Sequence, residues 1–259
     1  MEAQPLWDWA KAHGINLDNQ SIIVDAGVAA VLAKHGGNLD FIKQNLDQLV
    51  LEAEAEAYRI YLEHEAAFCA EVFQGYGDNL VELGEIDNLS ELGAILGRDY
   101  RRFDRFFLSL GQSRKSRSGS GFERINRGFL EALGYPFTFQ PVIDGRPDFV
   151  LPSTEHYKAN AMDCFTFTAK RTLRERWKQI TTEGAHGLGF FLATIDDKIS
   201  KPQLEEMKVH RINVVCPAAI KERAYPTAVN VLSYRQFLDD HLDPAMERWR
   251  RNGVIPASS

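Results

Sequence analysis

The sequence predicts an α/β protein in which a mixed central sheet is flanked by helices and preceded by a helical subdomain. Three observations predict it. Apolar residues recur at helical spacing through residues 1–110. After residue 122, short β-branched and aromatic runs alternate with helical segments. Between the two lies Gln112–Gly121, a stretch of serine, glycine and basic residues with the composition of a loop. The expected division is a helical subdomain over 1–110 and an α/β core over 111–259.

In chain order, Ile22–Ala33 is apolar and ends at His35-Gly36-Gly37, which suits a helix C-cap. Leu39–Phe73 is a long amphipathic segment carrying Leu39, Ile42, Leu46, Leu49 and Leu51, and Gly75-Tyr76-Gly77-Asp78 is expected to break it. Shorter helices follow near 79–83, 89–96 and 98–110. Beyond the loop, Phe122–Leu133 is a helix ended by Gly134, Phe137–Val142 alternates like a strand, Asp144-Gly145 is a turn, and Asp148–Leu151 is the next strand. Met162–Thr168 has the β-branched and aromatic content of a core strand. The alternation continues with a helix over Thr172–Glu183, a buried strand over Gly189–Ile195 and a helix over Gln203–His210. A strand over Ile212–Cys216 and a last helix over Tyr234–Arg250 complete it.

Composition narrows the function classes. Hydrophobic residues make up 44% and charged residues 25% of the 259, as in a soluble globular protein, and no run of about 18 apolar residues exists to span a membrane. The start, Met1-Glu2-Ala3-Gln4-Pro5, is neither basic nor apolar enough for a signal peptide. Cys69, Cys164 and Cys216 are odd in number and far apart, which argues against a disulfide framework or a zinc site. A cytoplasmic protein is expected. A net charge of −6 speaks against indiscriminate nucleic-acid binding. Basic residues are nonetheless concentrated between Arg98 and Arg127, after an acidic segment from Glu52 to Glu91. Such a run is most simply a solvated face. On an acidic chain it also suits a protein that binds DNA at one surface and avoids it elsewhere.

The chemistry-bearing stretch runs from Arg146 to Glu183. Arg146-Pro147-Asp148-Phe149-Val150 puts a carboxylate at a strand entry, because proline fixes the approach and offers no ladder hydrogen bond. The next strand ends in Thr168-Ala169-Lys170. Adjacent strands would bring Asp148 and Lys170 to a common phosphate, where aspartate supplies a hard oxygen ligand for Mg²⁺ and lysine orients or deprotonates the attacking water. The position two before the lysine, where a second acid is usual, holds Thr168. Glu183 is the replacement candidate: with a helix starting near Thr172, Leu173, Trp177 and Ile180 form its buried stripe, and Arg176 and Glu183 share one edge of it. Asp148 and Glu183 are then the metal ligands.

Arg174-Glu175-Arg176 lies on the same segment. Arginine pairs bidentately with guanine O6 and N7, and glutamate accepts from cytosine N4, so two consecutive C·G pairs present a matching set in the major groove. All three side chains reach base edges only from a helix's first turn, where Thr172 as N-cap would place them. The plainer reading makes Thr172 and Glu175 a capping box with both arginines solvated.

With these pieces in place, residues 112–183 resemble the EcoRII-C/SsoII/PspGI-type restriction endonucleases of the PD-(D/E)XK superfamily, which cut at sites built from CC and GG half-sites. The matching pieces are Gln112–Gly119, Phe122-Glu123, Arg146–Phe149, Lys170–Gln179 and Glu183. The resemblance implies a PD-(D/E)XK core whose second acid has migrated to Glu183, with Glu123 as an additional acidic residue of the site. It implies that Arg174, Glu175 and Arg176 read C·G pairs, that Gln112 adds a base contact, and that Ser113, Arg114, Lys115 and Arg117 meet the DNA backbone. The expected protein is a homodimeric, Mg²⁺-dependent type II restriction endonuclease acting on double-stranded DNA, with CCNGG or CCWGG favoured over CCGG. The helical subdomain would serve dimerisation and DNA approach. Several relatives of this type stack a flipped base on an aromatic ring; Trp7, Trp9, Tyr58, Tyr61 and Tyr76 are available, and none is assigned. Rival readings are a repair or junction nuclease of the same fold, a DNA-binding protein that has lost cleavage, and a helical interaction protein centred on residues 1–110.

Overall fold

The computed structural model describes residues 5–79, 89–143, 145–173 and 188–257, leaving aside the side chains of 77–79 and 115–120. The chain forms two compact units, one of Met1–Ile23 with Tyr58–Ser118 and one of Val24–Ala57 with Gly119–Ser259.

The first unit is helical among the described residues. It contains α1 (Leu6–Ala12), α5 (Leu89–Arg98) and parts of α4 (Leu46–Asn79) and α6 (Tyr100–Ala132). Its core joins Leu6 and Ala10 of α1 to Phe68, Val72 and Tyr76 of α4 and to Phe106 and Leu110 of α6. Two sequence expectations fail here. Helix α4 runs through Gly75 to Asn79 instead of breaking. Gly75 is there for packing, since a Cβ on it would lie 2.9 Å from the Trp9 ring. The Ser/Gly/basic stretch Gln112–Gly121 is not a loop but the middle of α6. Apolar positions at helical spacing on both sides (Phe106 and Leu110, then Phe122, Ile125 and Phe129) are buried. Extending a helix costs far less than nucleating one, so the anchored flanks outweigh roughly 1 kcal/mol for each interior glycine.

The second unit holds the sheet. Its elements are α2 (Gln20–Lys34), α3 (Leu39–Gln44), the start of α4 and the end of α6. Next come β1 (Thr138–Phe139), β2 (Phe149–Leu151), α7 (Thr154–Asn160), β3 (Phe165–Ala169), β4 (Gly189–Ala193), α8 (Lys201–Val209) and β5 (Ile212–Cys216). The chain ends with α9 (Ala218–Ala224), β6 (Val231–Ser233), α10 (Tyr234–Phe237) and α11 (Asp243–Arg251). Among the described residues, six strands lie in sequence order; β1, β2 and β3 pair antiparallel, and β3 to β6 pair parallel. This is the mixed sheet flanked by helices that the sequence predicts. Strand alternation divides the core in two. Phe165, Phe167, Phe191 and Val215 pack with α6 and α10–α11 around Phe122, Phe129, Phe237 and Trp249. Phe190, Leu192, Ile212 and Val214 point to the other face, with Leu204 and Met207 of α8. The expected helix Tyr234–Arg250 is interrupted by a π-helical turn over Leu238–Leu242, just before Pro244, which has no N–H to continue the helical ladder.

Candidate active site

Topology brings the first two candidate residues together. Because β2 runs antiparallel to β3, with Phe149 opposite Phe167, the entry of β2 and the exit of β3 lie at one sheet edge. Asp148 precedes β2 and Lys170 follows β3. The Asp148 carboxylate is fixed by the Ala169 backbone N–H, which donates to Oδ2 at 2.8 Å. Lys170 Nζ then donates to both oxygens of Asp148, at 3.0 and 3.2 Å. A third group arrives from α6: Glu123, beside buried Phe122 and Ile125, accepts from the same Nζ at 2.8 Å. Three residues distant in sequence therefore converge on one point.

Thr168, in the place of the usual acid, is only 3% exposed. Its hydroxyl accepts a long contact, 3.4 Å, from the Asp148 backbone N–H, so the side chain supports the neighbouring strand instead of facing solvent. Burial and the Asp148 charge push the Glu123 carboxyl above its ordinary pKa, against the pull of Lys170. Burial lowers the Lys170 pKa, but the two carboxylates outweigh it and hold the ammonium above its ordinary value. The two acids offer carboxylate oxygens, the ligand chemistry of a hard divalent cation, and the Lys170 ammonium offsets their mutual repulsion. Among the described residues no group of three metal-ligating side chains forms. Glu183, the expected second ligand, lies outside the described residues, as do Arg174, Glu175 and Arg176.

The remaining expected residues lie on α6. Gln112 is exposed. Arg114 donates through Nε to both oxygens of Glu65, at 2.9 and 3.1 Å, and Glu65 is 5% exposed. The guanidinium expected on a phosphate is thus held by an acid of its own unit, with the side chain still half exposed. Ser113 is half-buried, and the side chains of Lys115 and Arg117 lie outside the described ones. Of the five aromatics, Trp7 packs on Phe68, Trp9 stacks on His13, Tyr61 donates to Glu65 and Tyr76 is buried, whereas Tyr58 is exposed. Sequence reasoning missed Arg171, ion-paired with Glu54, and the turn after β4, where Thr194 and Asp196 bind the backbone beyond Lys170. Those contacts join segments far apart in the chain, and no motif marks them.

A family model described as EcoRII C terminal matches residues 80–238, more than half of the chain. The chain belongs to the EcoRII C-terminal family. The family match contains every site residue chosen from the sequence, from Gln112 to Glu183. The type II restriction enzyme SsoII of Shigella sonnei is 27% identical over 233 residues, covering 83% of this chain and 72% of that enzyme. The type II restriction enzyme EcoRII of Escherichia coli is 28% identical over 144 residues, 52% of this chain but only 35% of that enzyme. Among solved structures, metal-depleted Ecl18kI in complex with uncleaved, modified DNA has a TM-score of 0.76 at 22% identity, covering 98% of this chain and 85% of that one. The PspGI–substrate DNA complex has a TM-score of 0.60 at 17% identity, covering 87% and 93%. This EcoRII C-terminal family chain shares their restriction-endonuclease fold, and its curated relatives are type II restriction enzymes.

Proposed function

We propose that the protein is a Mg²⁺-dependent type II restriction endonuclease that cuts double-stranded DNA at a palindromic site with CC and GG half-sites, CCNGG or CCWGG in preference to CCGG. The observation that carries this reading is the convergence of Asp148, Glu123 and Lys170 at one sheet edge. Asp148 and Glu183 would hold the cation, with Glu123 as an additional acid. When bound, Mg²⁺ supplies Lewis-acid stabilisation of the phosphodiester and of the attacking water. Lys170 orients that water and offsets charge developing on the phosphoryl oxygens. Water oxygen bonds to phosphorus, the phosphorus–oxygen bond to the leaving strand breaks, and the leaving oxygen takes up a proton. The Ala169 N–H keeps Asp148 from rotating out of place.

Arg174, Glu175 and Arg176 would read each half-site, Gln112 would add a base contact, and Ser113, Arg114, Lys115 and Arg117 would meet phosphates. A homodimer matches a palindromic target, one subunit to each half-site. In support, α5 buries none of its residues and exposes Leu89, Leu92 and Leu96, an apolar side that a second subunit would cover. Residues 1–110 would then serve dimerisation and DNA approach. No helix among the described residues is long and apolar enough to cross a membrane, and a cytoplasmic location suits the reading.

Incubation of the purified protein with plasmid DNA and Mg²⁺, followed by sequencing of the ends, tests this. Discrete fragments sharing a CC/GG-containing end are expected. Random nicking would instead indicate a repair or junction nuclease, and site-specific binding without cutting a protein that has lost cleavage. Arg174→Ala or Arg176→Ala should weaken binding to the site by about 1–3 kcal/mol and relax discrimination at one base pair. Equal affinity for matched and mismatched duplexes in the unaltered protein would refute the base-reading assignment.

A further inference from the structure

The segment that leaves Lys170 is held on both sides of Thr172 by the turn that leaves β4. The parallel ladder of β3 and β4 continues one step past the strands, as Lys170 N–H donates to the Ala193 carbonyl at 2.9 Å. The Thr194 hydroxyl, fully buried, donates to the Arg171 carbonyl at 3.2 Å and accepts from Asp196 N–H at 3.1 Å. The Asp196 carboxylate closes the bracket: Oδ2 accepts the Leu173 N–H at 2.9 Å, while Oδ1 accepts the Lys198 N–H at 3.0 Å. The turn is itself tied down, because Tyr225 OH donates to the Asp196 carbonyl at 2.7 Å and accepts from Ile199 N–H at 2.9 Å. Leu173 is buried with Phe190, Leu192 and Ile199, so its side chain anchors the same point.

We infer that Asp196, with Thr194, is a positioning element for recognition: it fixes Arg171–Leu173, the chain between Lys170 and the proposed base-reading residues. The inference rests on the proposed function, since Arg174 follows Leu173 directly in the chain. The sequence starts a helix near Thr172, and a helix leaves its first N–H groups without internal partners. Asp196 supplies an acceptor for the Leu173 N–H from the turn after β4. A local cap would fix only the start of that segment. An acceptor carried by the exit of β4 fixes the Leu173 backbone relative to the sheet edge that holds Asp148 and Lys170. Asp196 needs no contact with DNA for this role; it acts through the backbone of Leu173.

The test compares full-length Asp196→Ala, Asp196→Asn and Thr194→Val with the unaltered protein and with Arg174→Ala. Each is measured for affinity on a duplex carrying CCTGG, on one with a single changed C·G pair, and on one without a site, alongside thermal unfolding. Asn keeps an oxygen for the Leu173 N–H, so it separates loss of the acceptor from loss of charge. Asp196→Ala is expected to lose about tenfold or more in preference for CCTGG over the changed duplex. Its affinity for the site-free duplex should stay as it was, and Asp196→Asn should recover most of the preference. Unaltered preference in a folded Asp196→Ala protein would overturn the inference, as would equal weakening on all three duplexes or a loss that Asn does not repair. If Arg174→Ala also leaves preference intact, or the unaltered protein shows none for CCTGG, the proposed reading fails with it. Loss in Arg174→Ala but not in Asp196→Ala refutes the positioning role alone.

Discussion

Lys170→Ala should slow DNA cleavage by roughly 10²–10³-fold, the loss typical when a preorganised charge-stabilising donor is removed from a reacting centre. The structure adds a second expected result that separates this residue from its neighbours. Lys170 donates to Glu123 and to both oxygens of Asp148, so its ammonium offsets two acids that otherwise repel each other. Without it the acids are a stronger cation site. Lys170→Ala should therefore keep, or enlarge, the rise in melting temperature expected from Mg²⁺ binding to the folded state of the proposed enzyme. Asp148→Ala removes a proposed ligand and should lose both cleavage and that rise, while site-specific DNA binding stays largely intact in both variants. Cleavage rates under single-turnover conditions and melting curves with and without Mg²⁺ check the pair. A Lys170→Ala protein that cuts within tenfold of the unaltered rate would remove the lysine from the mechanism.

The second large effect concerns stability. Asp47, at the start of α4, accepts three backbone N–H groups. Oδ1 takes those of Ala218 at 2.9 Å and Tyr234 at 2.8 Å, and Oδ2 takes that of Arg235 at 3.1 Å. One carboxylate thereby caps α9 and α10 together. Burial lifts its pKa above the ordinary carboxylate value, against the pull of these three donors. Alanine here leaves all three donors unmet, at a cost of about 3 kcal/mol when the usual cost of losing an N-cap is applied to two helices. For a unit of this size that is a fall in melting temperature of roughly 6–12 °C. Asp47→Asn keeps an Oδ1 for Ala218 and Tyr234 and should fall between the two. Chemical denaturation followed by circular dichroism measures both, and a change below about 1 kcal/mol for alanine would show that water replaces the carboxylate at no loss.

The neighbourhood of Asp148 and Lys170 in the candidate site is legible because both residues sit next to local signals. Proline before Asp148 and the aromatic run before Lys170 mark strand ends, and antiparallel pairing of β2 and β3 then makes the two residues neighbours. Glu123 was reachable only through family resemblance. Nothing in the local pattern of α6 distinguishes it from a solvated helix acid, and its role depends on where that helix crosses the sheet edge. The stretch Gln112–Gly121 shows the opposite failure, in which composition suggested a loop and buried flanks imposed a helix. Gly75 failed likewise, since its conformational freedom is unused and its missing side chain makes room for Trp9. Short elements such as β6 and α9 carry too few residues for periodicity to register, and they form through the sheet and the Asp47 cap.

The lysine bridge between Asp148 and Glu123 also bears on how such a protein is made and kept. Where a folded state gathers acids around a metal and nothing else, metal binding and folding are coupled. Here the chain brings its own positive charge to the meeting point. On the proposed function, folding would then be uncoupled from the supply of divalent ions: the ion would govern cutting, not whether the chain reaches its native form. A chelated preparation should accordingly be a resting stock that regains activity on readdition of Mg²⁺, with no refolding step in between.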